Sequence, residues 1–183
     1  MKIYPSKFMI SGFVVGAFLL LSQHSNAQSA SAPKTNSAST ELELFLTNRE
    51  YVKIPISKMP SGHLAITGTL NGVTGDFIID TGAGATVIET SKADKFNLKT
   101  NDSAALGAGA GGTQSLKKAA NNSFQIGVFT KTNFNVYVMS LAHVNKALSS
   151  LKLKEVDGVI GSDLLSQNKA IIDYSNLTLY LKK

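Results

Sequence analysis

The stretch Phe77-Ile78-Ile79-Asp80-Thr81-Gly82-Ala83-Gly84-Ala85-Thr86-Val87-Ile88 constrains the fold more than any other part of the chain. An apolar, β-prone run delivers one aspartate into a Thr-Gly turn, and a second apolar run leaves it. Upstream, Leu64-Ala65-Ile66-Thr67-Gly68-Thr69-Leu70 leads into Asn71-Gly72, a pair suited to a two-residue hairpin because both residues tolerate positive φ. The return strand runs through Phe77-Ile78-Ile79, so hairpin geometry decides where the Asp80 carboxylate points. A single acid held at the end of a strand is placed for chemistry, although an Asp before Gly also serves ordinary turns by accepting from nearby backbone N–H groups.

The rest of the chain is mostly β in pattern. Tyr51-Val52-Lys53-Ile54-Pro55-Ile56 alternates, and two further strands are expected over residues 123–129 and 134–139, turning around residues 130–133. Thr90 is expected to cap a short helix over residues 91–96 that stops at Asn97, and residues 141–148 suit a helical turn or two. The run Val156-Asp157-Gly158-Val159-Ile160-Gly161 leads into a short capped helix over residues 162–167. A closing hairpin is expected between residues 170–174 and 177–181, across Ser175-Asn176. Many short strands with sparse helix predict an all-β, barrel-like domain.

With 183 residues and a hydrophobic fraction of 43%, the chain suits one compact core plus short extras. Lys2 and Lys7 precede an apolar run over residues 8–21, and Ser25-Asn26-Ala27 offers small residues at a cleavage point, so residues 1–27 read as a signal peptide. The run is short for a bilayer span, which needs about 20 residues, so no stable membrane insertion is expected once it is removed; an uncleaved anchor is the alternative. Residues 28–40, rich in Ser, Ala, Asn and Thr, read as a flexible linker, leaving residues 41–183 as the folded domain. The expected location is periplasmic or secreted. Cysteine is absent, which excludes a disulfide framework.

The charge is +6 and uneven: no acid stands between Asp102 and Glu155, whereas Lys117, Lys118, Lys131, Lys146, Lys152 and Lys154 do. No dense cluster or aromatic interleaving accompanies them, so nucleic acid is not expected as a partner. Gly107, Gly109 and Gly112 match the spacing of a dinucleotide loop, but no apolar strand precedes them and no acid follows at the distance a ribose would need. His63 and His143 are the only histidines beyond the signal, and neither a Gly-x-Ser-x-Gly nor a His-Glu-x-x-His motif occurs in the sequence, so serine-hydrolase and metal readings lack parts. No metal or other cofactor is expected.

Asp80 within its flanking pattern, followed some eighty residues later by Val159-Ile160-Gly161, resembles the catalytic and supporting loops of retropepsin-like aspartic peptidases, in particular single-domain secreted bacterial members. The resemblance covers roughly residues 51–182 and implies a closed β-barrel of the acid-protease type. It implies an aspartic endopeptidase in which Asp80 from each of two subunits of a homodimer shares one proton. One carboxylate activates water while the other donates to the scissile carbonyl. Thr81, Gly82 and Ala83, with Val159, Ile160 and Gly161, would support that site, and Gly109, Gly111 and Gly112 would form a flap over a peptide or protein substrate. Val87, Ile88, Val159 and Ile160 would line or support it and favour apolar groups beside the cleaved bond. Ala83 offers no hydroxyl to an ionised Asp80, which implies a working range from mildly acidic to neutral. The acid and arginine that viral relatives carry at the positions of Gly84 and Ser162 are both missing, which implies a different dimer seam. Asp163 either caps the short helix or braces the Asp80 loop. The alternative reading is a monomeric, noncatalytic peptide-binding domain of the same shape.

Overall fold

The computed structural model describes residues 37–109 and 112–183. Eleven strands and three α-helices follow in the order α1 (Ser37–Thr47), β1 (Tyr51–Pro55), β2 (Ser57–Lys58), β3 (Leu64–Leu70), β4 (Val73–Ile79), β5 (Val87–Glu89), β6 (Thr100–Gly109), β7 (Gly112–Ile126), β8 (Phe129–Met139), α2 (Ala142–Ser150), β9 (Gly158–Ile160), α3 (Ser162–Gln167), β10 (Ile171–Asp173) and β11 (Thr178–Lys182) among the described residues. A 3-10 turn, Thr90–Lys92, follows β5.

Eight strands form one sheet in the order β2-β3-β4-β9-β5-β8-β7-β6, and a further β3–β7 pairing brings that sheet back on itself. The six strands from β3 round to β7 therefore make a closed hydrogen-bonded circuit, in agreement with the expected all-β class. Strand alternation fills its inside: β3 buries every second residue, and Phe77, Phe124 and Ile160 are wholly enclosed. The Phe77 and Phe124 rings meet edge to face with centroids 5.1 Å apart. Aromatic pairs prefer that offset geometry, which sets a ring's positive edge against its neighbour's negative face. A separate three-stranded sheet, β1-β11-β10, joins the two ends of the domain. A second apolar cluster of Ile78, Val87 and Val159 takes Val144 and Leu148 of α2 onto its outer face.

The β3–β4 hairpin turns at Asn71 (φ 52°) and Gly72 (φ 80°), the pair of left-handed conformations that matches strand twist. Three elements depart from expectation. The turn between β7 and β8 sits at Gly127 and Val128 instead of residues 130–133, because Gly127 takes the left-handed conformation (φ 55°) while that of Asn133 is absorbed within β8. The helix expected over residues 91–96 is only a 3-10 turn followed by irregular turns, capped by the Glu89 side chain and not by Thr90. Phe96, fully buried against Phe77, and Lys95, paired with Asp157, pull that segment out of helical register. Finally, α1 begins at Ser37, inside the stretch expected to be linker, and Leu46 gives it a buried foothold. The expected signal peptide lies outside the described residues.

Candidate active site

Asp80 follows the last residue of β4. Its neighbour across the ladder is the parallel strand β9, with Ile79 opposite Ile160, and the Asp80 N–H donates to the Ile160 carbonyl at 3.0 Å. β9 lies between β4 and β5, the strands that enter and leave the Asp80 turn, running parallel to the first and antiparallel to the second. The two segments singled out in the sequence are thus laid side by side by the sheet itself.

The turn is tightly determined. Gly82 N–H donates to Asp80 Oδ1 at 2.8 Å, and Ala83 N–H closes the turn on the Asp80 carbonyl at 3.2 Å. Asp80 is half-buried while Thr81 and Gly82 are exposed, so the carboxylate is fixed on one side and open on the other. None of the ion pairs among the described residues involves it. The Thr81 hydroxyl, also exposed, makes no hydrogen bond within the chain among the described residues. Beside it opens a cleft of about 240 Å³, floored by Leu165, Ala170 and Ile172 and rimmed by Ser162, Ser166 and Lys169.

The loop after β9 is sewn to this turn. Ser162 N–H donates to the Ala83 carbonyl at 2.7 Å. The hydroxyl of Thr86, which is fully buried, accepts from Gly161 N–H at 3.2 Å and donates to Asp163 Oδ1 at 2.8 Å. Gly161 has to be glycine for want of space: an added Cβ would stand 2.4 Å from the Ala85 carbonyl carbon and oxygen. Asp163 Oδ1 also accepts from Leu164 N–H. The N-cap of α3 is Gly161, with no side-chain cap, so Asp163 braces the turn instead of capping the helix.

Asp80, Thr81, Gly82 and Ala83 are therefore brought together with Val159, Ile160 and Gly161. Val87, Ile88, Val159 and Ile160 are all buried and so support the site without lining it. The expected flap is an antiparallel ribbon of β6 and β7 closing with Gly109 opposite Gly112. Gly111 lies outside the described residues, and among the described residues no hydrogen bond joins the ribbon's tip to the Asp80 turn.

Sequence reasoning missed four supporting residues. Thr86 was detectable as a hydroxyl inside an apolar run, since a buried polar atom requires a partner. Asp157, also buried, accepts from Asp76 N–H and from Lys95 Nζ, and its backbone N–H and carbonyl bond Asp76 and Glu89, so one residue joins β4, β9 and β5. Glu89, buried too, accepts from Ser91 N–H with one oxygen and from Leu141 N–H with the other, tying β5 to the start of α2. Asp157, Lys95 and Glu89 act through three-dimensional contacts that no local spacing announces.

A family model described as "Aspartyl protease" matches residues 66–164, more than half of the chain, from within β3 to within α3. The protein belongs to the aspartyl protease family. Among solved structures it is similar to a retropepsin-like aspartic protease from Rickettsia conorii, at 24% identity and a TM-score of 0.52, over 72% of this chain and 92% of that one; this likeness shows the retropepsin fold. It is also similar to EIAV protease in complex with an inhibitor, at 14% identity and a TM-score of 0.47, over 61% of this chain and 92% of that one. No curated protein matches the sequence.

Proposed function

We propose that the protein is an aspartic endopeptidase whose working site is made from two copies of the Asp80 turn, one from each subunit of a homodimer. The observation that carries this reading is the state of Asp80: fixed by the Gly82 N–H on one side, open on the other, and set in the one Asp-Thr-Gly of a sequence that belongs to a peptidase family. Two such carboxylates in contact cannot both ionise, so they hold one proton between them. The ionised member takes a proton from water as that water attacks the peptide carbonyl. The protonated member donates to the carbonyl oxygen, and collapse of the tetrahedral species expels the amine as it is protonated, without a covalent enzyme intermediate. Thr81, exposed beside Asp80, is placed to meet its counterpart across the twofold axis. The ribbon of β6 and β7 closes over an extended peptide, with apolar groups favoured beside the cut bond. Because Ala83 carries no hydroxyl, the working range is mildly acidic to neutral. The same reading takes residues 1–27 as an export signal and places the domain in the periplasm or outside the cell.

The test is a diverse peptide pool incubated with residues 28–183 across pH, beside Asp80→Asn, with the subunit number measured on the same samples. Cleavage by a dimer, reduced at least about 10³-fold in Asp80→Asn, supports the reading, that factor being typical for loss of an essential acid–base group. A tight monomer that binds peptides and never cuts them overturns it in favour of a binding domain. An activity maximum below about pH 3 would remove the argument from Ala83.

A further inference from the structure

We infer that Thr86 is a positioning residue for the proposed reaction, and that its bonds to Gly161 and Asp163 set the aim of the Asp80 carboxylate. This rests on the peptidase reading and deepens it.

Three cross-links sew the turn of residues 80–86 to residues 160–163. Two are backbone to backbone, from Asp80 N–H to the Ile160 carbonyl and from Ser162 N–H to the Ala83 carbonyl. Any residue could make these. The third depends on one side chain, because the Thr86 hydroxyl accepts from Gly161 N–H and donates to Asp163 Oδ1. Thr86 is 0% exposed, so no water can replace the hydroxyl if it is removed. The Thr86 carbonyl in turn accepts from Tyr137 N–H at 2.9 Å, which fixes its backbone to β8. The hydroxyl therefore connects a point anchored in the barrel wall to the loop that lies against the reactive turn. Gly161 sits so close to Ala83 and Ala85 that a shift of either strand is felt by the other. Asp163 completes the device by accepting from Thr86 and Leu164 N–H with the same oxygen, which ties the first turn of α3 to the strut.

Replacing the hydroxyl with a methyl group leaves volume almost unchanged but strands the Gly161 N–H and removes a donor from Asp163. The turn then relaxes about its two backbone links. Chemistry that needs reacting atoms within a few tenths of an ångström is sensitive to such a shift: misplacement by about 1 Å costs on the order of 10²-fold in rate. Binding of an extended peptide, spread over many contacts, is not. The signature is therefore a fall in kcat at nearly constant KM.

The experiment compares Thr86→Val, Thr86→Ser and Asp163→Asn with the unsubstituted protein for kcat, KM and the shape of the pH profile, and for hydrogen exchange at the Gly161 amide. Thr86→Val is expected to lower kcat about 30- to 100-fold with KM within about twofold, an unshifted pH profile and faster exchange at Gly161. Thr86→Ser keeps the hydroxyl, and Asp163→Asn keeps an acceptor oxygen; each is expected to stay within about fivefold of the parent. If Thr86→Val does not fold, Asp163→Leu, which deletes the acceptor at a half-buried position, takes its place with the same expected split. Unchanged kcat in these hydroxyl- or acceptor-deleting variants, a loss carried wholly by KM, or a Thr86→Ser protein no better than Thr86→Val overturns the inference. Absence of cleavage by the unsubstituted protein fails the peptidase reading itself, a result distinct from an active parent whose Thr86→Val variant is unimpaired.

Discussion

Buried carboxylates in this protein act as connectors, and Glu89 shows how much one can hold. It is 8% exposed and its two oxygens accept from the N–H groups of Ser91 and Leu141, which lie in segments far apart in the chain. Glu89→Leu would leave both donors without acceptors, one of them at the start of α2. The expected loss is about 2–4 kcal/mol of stability by denaturant unfolding, because an orphaned buried donor forfeits its desolvation cost as well as the bond. Glu89→Gln keeps one acceptor oxygen and should lose less than half of that. At this scale the sequence was partly legible. Asp80, Gly82 and Gly161 stood out through their local pattern, whereas Glu89 and Asp157 are two of a dozen ordinary acids until the fold brings their partners to them.

Elements locate the site through register. β9 has three residues and owes its position to neighbours on both sides, β4 with Ile79 opposite Ile160 and β5 with Val87 opposite Val159. A slip of one residue would exchange its two faces, turning Val159 away from the outer cluster and Ile160 away from the barrel interior. Gly161→Ala tests how closely this packing is set. Its Cβ would meet backbone atoms of Ala83 and Ala85, so the change should cost about 3 kcal/mol or more, by chemical unfolding, with the proposed peptide cleavage falling in parallel. Gly72→Ala, whose Cβ meets nothing but whose φ is 80°, should cost only about 1 kcal/mol.

The β3–β4 hairpin and the strands β1, β8, β10 and β11 were readable because alternation and the Asn-Gly turn are local signals, whereas β2, β5, β6 and β9 were not expected as strands. Asn71 does more than its local pattern conveys: its side chain donates to Phe96 and Asn122 and accepts from Ser123, locking the hairpin to β7. The turn near Gly127 and the shortened helix after β5 were misread for different reasons. In the first the left-handed conformation of Gly127 makes the turn while that of Asn133 is absorbed within β8, and in the second the preference at Thr90 loses to the long-range contacts of Phe96 and Lys95.

At the scale of the whole molecule, charge gives stability a pH dependence. The Lys154 ammonium beside Asp76, aided by the Thr67 hydroxyl, holds the Asp76 carboxyl below its ordinary value of 3.8, and the same contact raises Lys154 above 10.5. The contribution of Asp76 is therefore present above pH 3.8 and is lost as pH falls through its lower folded value. The contribution of Lys154 is complete below 10.5 and is lost as pH rises through its higher folded value. Lys154 is 83% exposed, so water and salt screen the pair and the effect is modest. Thermal unfolding followed against pH should show the parent and Lys154→Met drawing together at both extremes. They should differ most in the middle range, and less in high salt. Equal differences at all pH values would contradict this.

The late position of β9 in the chain has a bearing on folding during synthesis. β4 and β5 are made early, but the strand that fills the gap between them arrives some seventy residues later, and with it the carbonyl of Ile160 that receives the Asp80 N–H. A nascent chain ending before residue 158 has its acid without the strand that fixes it. The hydrolysis proposed for this turn would therefore wait on the arrival of β9, and a shorter nascent chain still on the ribosome would carry the acid unbraced.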